Sequence, residues 1–178
     1  MGLLRKIQEK RERNKDSVGD WRKKGCNIGE NCSIYPTVSF GSEPYLITIG
    51  NHVRIGNNVN FVTHDGGAWV AREYDKTLKE ADLFGKITVG NNVHIGMNVI
   101  VMPNVTIGDN CIIGCGAIVT KDIPANSVAV GVPARVIESI DTYIEKHRSD
   151  FCFTKSLTGL EKKKAVLKYF EERERAKQ

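Results

Sequence analysis

No stretch of this 178-residue chain approaches the roughly 20 apolar residues needed to span a bilayer. Its first 14 residues are too charged for the apolar core of a secretory signal, so a cytoplasmic location is expected. Cysteine is sparse and odd in number, five residues in all. Without a secretory signal, that argues for free thiols rather than a disulfide framework. Excess charge is also modest, a formal +5, and Lys and Arg gather at residues 5–15 and 162–177, where they alternate with Glu. Segments of that kind read as solvated helix faces rather than as a nucleic-acid footprint, and no nucleic-acid partner is expected.

What the chain does have is a beat of six. Val89, Ile95, Val101, Ile107, Ile113, Val119 and Ala125 follow one another at intervals of six, with Gly after four of them at Gly90, Gly96, Gly108 and Gly114. A helix of 3.6 residues per turn cannot keep every sixth residue on one face over that distance, so this is a repeat. Ile49, Ile55 and Phe61 keep the beat in a second phase, and Ile28, Ile34 and Phe40 in a third. The phase changes must be absorbed by irregular segments at residues 41–48 and, much longer, between Thr63 and Thr88. Cys26, Cys32 and Cys111 share the fifth slot of the hexad with Val53, Val59, Val93, Val99, Val105 and Ala117, as small core residues would.

A short extended piece followed by a Gly-Asn-Asn or Gly-Asp-Asn corner turns the chain every six residues, because Gly and Asn tolerate positive φ. Three corners close a triangular coil of 18 residues, which predicts Val89 stacked on Ile107 and Ile107 on Ala125. The beat ends after Arg135. Residues 1–24 and 137–178 are expected to be helical flanks of a β-domain at residues 25–136, with an excursion at about 63–88. In the C-terminal flank, Thr158 and Glu161 have the spacing of a capping box, opening a helix with Leu160, Leu167 and Phe170 inward. Such helices can cover the open edges of a prism.

These repeats resemble the hexapeptide-repeat acyltransferases, which implies a mainly β fold, a left-handed parallel β-helix with short N-terminal and C-terminal helices. The handedness comes from the resemblance alone, since the general rule for parallel crossovers gives the opposite hand. In the maltose, galactoside and antibiotic acetyltransferases of that superfamily, a His at the start of the excursion is the catalytic base, and His64 stands in the matching place. The run Thr63-His64-Asp65-Gly66-Gly67 is most like those of surface-polysaccharide O-acetyltransferases. A loop leaving a rigid coil can present a side chain to a ligand. Free imidazole, with a pKa of about 6.5, retains a neutral fraction able to take a proton from a hydroxyl as it attacks a thioester. A loop His bonding the backbone is the plainer alternative for His64. Asp65, pointing to the opposite face of an extended chain, is not expected to orient it. His94 fits an outward position better than a groove, and His52 and His147 have no supporting context.

By the same resemblance, residues 119–124 and 131–136 look like the coenzyme A end of a groove. There Thr120, Lys121 and Arg135 would meet the nucleotide phosphates, the backbone N–H of Met97 would face the thioester carbonyl, and Cys115 and Ala117 would line the pantetheine channel. Taken singly, the two cations could equally be surface residues. The implied protein is an acetyl-CoA-dependent O-acetyltransferase of a sugar or polysaccharide precursor, assembled as a homotrimer with sites between neighbours. No metal is implied: the γ-carbonic anhydrases share the prism but use two histidines five residues apart, and no His-x-x-x-x-His occurs here. An N-acetyltransferase of an amino-sugar nucleotide, or an antibiotic acetyltransferase, is the alternative within enzymes. A non-catalytic scaffold or ice-binding surface would need a regular outward ladder, whereas the third slot reads Asn91, Met97, Pro103, Asp109, Cys115.

Overall fold

The computed structural model describes residues 18–175. The chain divides into two compact units, Met1–Asp141 and Thr142–Gln178. In the first, two- to five-residue strands wind through three sheets, parallel except at the last strand, which form the three faces of a prism. The order along the chain is first face, second face, third face, repeated coil after coil.

Each face buries a column of apolar side chains from the first slot of the hexad, and the fifth slot adds a second set, Ile47, Ile87 and Val105 among them. On the first face Ile28, Ile49, Val89, Ile107 and Ile123 are successive partners. Ile34, Ile55, Ile95, Ile113 and Ala129 follow on the second, and Phe61, Val101 and Val119 on the third. All are buried. Phe40 extends the third column, its ring stacked on Phe61 at 5.0 Å. Beyond it Trp21, from the helical residues 18–23, lies 4.9 Å from Phe40 and covers the open end of the first coil. The short helix expected within the first half of residues 1–24 lies outside the described residues.

The register explains the changes of phase. First-coil and second-coil partners are 21 residues apart, and second-coil and third-coil partners 40, so the inserts fall at the corner between the third and first faces. One expectation fails. Ile107 pairs with Ile123 and Ile113 with Ala129, both 16 residues on rather than 18, while Ala125 is exposed. The last coil passes from Val119 to Ile123 in one tight corner, in which Asp122 Oδ1 accepts the Thr106 N–H at 2.7 Å.

Corners between the first and second faces carry an amide ladder. Asn31, Asn92, Asn110 and Asn126 all have positive φ, as does His52 in the same position. His52 Nδ1 contacts Asn92 Oδ1 at 2.9 Å, Asn92 Nδ2 donates to Asn110 Oδ1 and Asn110 Nδ2 to Asn126 Oδ1, each at 2.9 Å. The side chains that make left-handed backbone tolerable also tie one coil to the next.

Two expectations for the C-terminal part are corrected. Arg135–Ser139 is a strand, antiparallel to Ser127–Val130, so the β-unit runs past residue 136. In the second unit the helix Gly159–Arg175 does form, but Leu160, Leu167 and Phe170 are exposed. What ties that helix to the preceding turn is polar: Arg173 ion-pairs with Asp150 at 2.6 Å, and Tyr169 donates to the Asp150 carbonyl at 3.0 Å. Among the described residues, no helix is long and apolar enough to cross a membrane.

Substituting Asn110 separates the two roles of the ladder. Asn110→Ala removes both amide bonds and strains the backbone, and is expected to lower unfolding free energy by about 1–3 kcal/mol. Asn110→Gly loses the bonds but tolerates the positive φ, so its urea midpoint should fall between those of the Ala variant and wild type.

Candidate active site

The 40-residue step opens a loop whose base is held like a hairpin. Gly85 N–H donates to Thr63 O and Asp65 N–H to Leu83 O, each at 2.8 Å, and His64 bridges Phe84. Within the loop lie the helix Ala68–Tyr74 and a 3₁₀ turn Lys76–Leu78. Arg72 ties that helix to the return leg, donating from Nη1 to Asp82 Oδ1 at 2.6 Å and to Ala81 O at 2.8 Å.

His64 leaves the prism at this stem with half its side chain exposed. Its Nδ1 lies 2.9 Å from Glu43 Oε2, and the same oxygen accepts the Thr63 hydroxyl at 2.6 Å. These hydrogen bonds, Thr63 first, then His64 with a lesser share from Ser42, hold the Glu43 carboxyl at about 2, against an ordinary 4.5 and against the opposing effect of burial. Glu43 is therefore a carboxylate at neutral pH and can only accept. The proton between the two therefore sits on Nδ1, and in the neutral ring Nε2 is the acceptor. Asp65 takes no part: its Oδ1 accepts the Gly67 N–H in a local turn. His64, Glu43, Trp69 and Phe84 line one cavity of about 400 Å³.

Glu43 escaped the reading of the sequence because it lies far from His64 along the chain. The signal was present, however. It is the one carboxylate in residues 41–48, and it stands 21 residues before His64, the spacing that stacks the first coil on the second.

The other expected site residues divide between two edges of the prism. The edge between third and first faces carries Glu43, His64 and the exposed pair Thr120 and Lys121. Met97 and Cys115, both exposed, lie on the edge between second and third faces, where Gly116 N–H donates to Met97 O. The segment leading to Arg135 joins that second edge: Ile118 N–H donates to Gly131 O, and Ala134 N–H to Ile118 O. Lys121 and Arg135, close in sequence, are thus on different edges. Among the described residues the Met97 N–H donates no backbone hydrogen bond. Ala117 cannot line a channel with its side chain. It is 0% exposed, and its backbone is engaged with Gly114 O and the Ile100 N–H. The fifth slot faces the core, and that decides its placement.

His52 and His94 do not line this cavity. His94 lies outward on the second face beside Arg54, where partial desolvation, and then the Arg54 charge, lower its pKa. All five cysteines are free, with Cys26 and Cys111 buried. Burial pushes the Cys26 thiol up to about 12.

A coiled prism of hexads, with a His–carboxylate pair at the base of an excursion, defines a class of hexapeptide-repeat proteins. Residues 86–121 match the bacterial transferase hexapeptide (six repeats) family. Over 165 residues the chain is 47% identical to Protein CapG of Staphylococcus aureus, covering 92% of each. It is 40% identical over 134 residues to the galactoside O-acetyltransferase of Escherichia coli strain K12, covering 64% of each. A galactoside acetyltransferase solved in complex with coenzyme A superposes with a TM-score of 0.50 at 32% identity, over 82% of this chain and 88% of that one. The chain belongs to the hexapeptide-repeat acetyltransferases and is an acyltransferase.

The depressed Glu43 pKa has a signed consequence. A carboxyl titrating near 2 when folded and 4.5 when unfolded stabilises the fold fully above pH 4.5 and loses that contribution as pH falls toward 2. The advantage in unfolding free energy of wild type over Glu43→Gln should therefore shrink steadily between pH 4.5 and 2 in chemical denaturation. A difference that stays constant over that range would show that the carboxylate charge is not its source.

Proposed function

We propose that the protein is an acetyl-CoA-dependent O-acetyltransferase acting on a hydroxyl of a sugar or polysaccharide precursor, with His64 as general base. The observation that carries this reading is the His64 Nδ1 contact with the Glu43 carboxylate, which fixes Nε2 as the proton acceptor. The galactoside O-acetyltransferase activity named for the E. coli relative supports a sugar acceptor, and the coenzyme A complex of the galactoside acetyltransferase supports the donor. The winding of the prism we take to be left-handed, by the resemblance of the repeats.

Transfer is direct, through a ternary complex. Nε2 takes the proton of the acceptor hydroxyl as its oxygen attacks the thioester carbonyl carbon. The oxyanion that forms meets the backbone N–H of Met97, a donor aimed where charge develops. The C–S bond then breaks, the electron pair leaves on sulfur, and the coenzyme A thiolate recovers the proton held by His64. Glu43 orients the ring and stabilises the imidazolium between these steps. Lys121, with Thr120 beside it on one edge, and Arg135 on the other edge of a neighbouring copy would hold the phosphates, and Cys115 would border the pantetheine arm.

One copy does not suffice for this chemistry. His64 and Met97 stand at opposite edges of the third face, whose extended residues span roughly 15 Å at about 3.3 Å each. Side-by-side association of copies, the His64 edge of one against the Met97 edge of the next, completes the site. We propose a homotrimer, as the resemblance implies.

His64→Ala should lower turnover by about two to four orders of magnitude with the fold intact, and turnover near wild type would remove His64 as base. Glu43→Gln, whose amide can donate to Nδ1 and so invert the tautomer, should lower kcat by about 10- to 1,000-fold. Lys121→Ala and Arg135→Ala should act differently, raising KM for acetyl-CoA with kcat largely kept, as loss of uniform binding does. Unchanged KM in both variants would withdraw the phosphate assignment.

A further inference from the structure

We infer that the excursion at residues 63–86 is the acceptor subsite, and that it accepts a neutral pyranose ring laid against Trp69. This rests on the sugar reading above and adds to it the class of sugar and the residue that selects it.

Trp69 is 77% exposed, on the helix Ala68–Tyr74, and lines the same cavity as His64. The indole face is thus open to a ligand entering the cavity. The cavity, about 400 Å³, lies within the range of small-molecule clefts. Its apolar wall is completed by Phe84, set edge-on to His64 with ring centroids 6.4 Å apart. The weakly positive C–H face of a pyranose is complementary to the negative face of an indole ring.

The polar side of the cavity is built for hydroxyls rather than for an anion. Glu43, Asp65 and Asp82 contribute three carboxylates, and the single guanidinium, Arg72, is already paired with Asp82. Asp82 gives Arg72 only Oδ1, and Asp65 gives Gly67 only Oδ1. The second oxygens remain as acceptors for sugar O–H groups. A uronic or phosphorylated sugar would bring its charge against these carboxylates. The platform is also preorganised: the stem pairing of Thr63 with Gly85, the Asp65–Gly67 turn and the Arg72 bonds to Ala81 and Asp82 fix the helix that carries Trp69. Little ordering entropy then remains to oppose acceptor binding.

The test is steady-state acetyl transfer from acetyl-CoA to two sets of acceptors. One set comprises neutral methyl pyranosides of gluco, galacto and manno configuration with their 2-acetamido analogues, and the other is methyl glucuronide. Wild type is expected to acetylate at least one neutral glycoside and to use methyl glucuronide at least tenfold less well by kcat/KM. Trp69→Ala should raise KM for that neutral glycoside at least tenfold while KM for acetyl-CoA stays within twofold, and Trp69→Phe should recover most of the loss. Because Trp69 is exposed, neither change threatens the core, and circular dichroism verifies the fold. An unchanged acceptor KM in Trp69→Ala, or methyl glucuronide used as well as the neutral sugars, overturns this inference and leaves sugar O-acetylation standing. Wild type that acetylates none of these sugars overturns the sugar reading itself, and this inference with it.

Discussion

Everything in the β-unit depends on backbone pairing of each coil with the one before it, in a register that the corners must not disturb. The strands are two to five residues long, too short to hold a sheet singly, so stability comes from stacking rather than from any one strand. Gly at the corners leaves space for the next coil to approach. A Cβ added at Gly108, for instance, would lie 2.5 Å from the backbone nitrogen of Ala125. Columns of Ile and Val then fill the interior, with Phe40, Phe61 and Trp21 packed together at the first end.

How much of this could be read from the residues depended on whether a feature was periodic. The six-residue beat gave the coils, the inward columns and both irregular segments, because two side chains in six, the first and fifth of each hexad, turn inward wherever the chain passes the core. It misplaced Ala125 because a hydrophobic count does not register a corner shortened by two residues, and Ala is at home on either side of a coil. It set Lys121 and Arg135 together because they are close along the chain, although a third of a coil separates one edge from another. His64 stood out by its place at a break in the period. Glu43 was not, because its meaning depends on which coil lies beneath which. The inward placement of Leu160, Leu167 and Phe170 rested on helical spacing alone, and spacing names a face without naming what covers it.

The pairing of His64 with Glu43 divides labour between a regular and an irregular part of the molecule. Glu43 lies in the first insert and His64 in the stem of the second, and they meet because both inserts leave the prism at the same corner. Thr63, 1% exposed, anchors the carboxylate from the stem itself. The imidazole is therefore oriented by groups that the coil stack holds rigid, while the cavity wall opposite belongs to the excursion.

The closed stem of that excursion separates two kinds of inheritance. Because Thr63 and Gly85 are tied to each other before the chain rejoins the first face, the register of the prism does not depend on how many residues lie between them. The entropic cost of a longer or shorter insert grows only with the logarithm of its length. A lineage could thus exchange one such loop for another of different size and composition while the scaffold, His64 and Glu43 stayed in place.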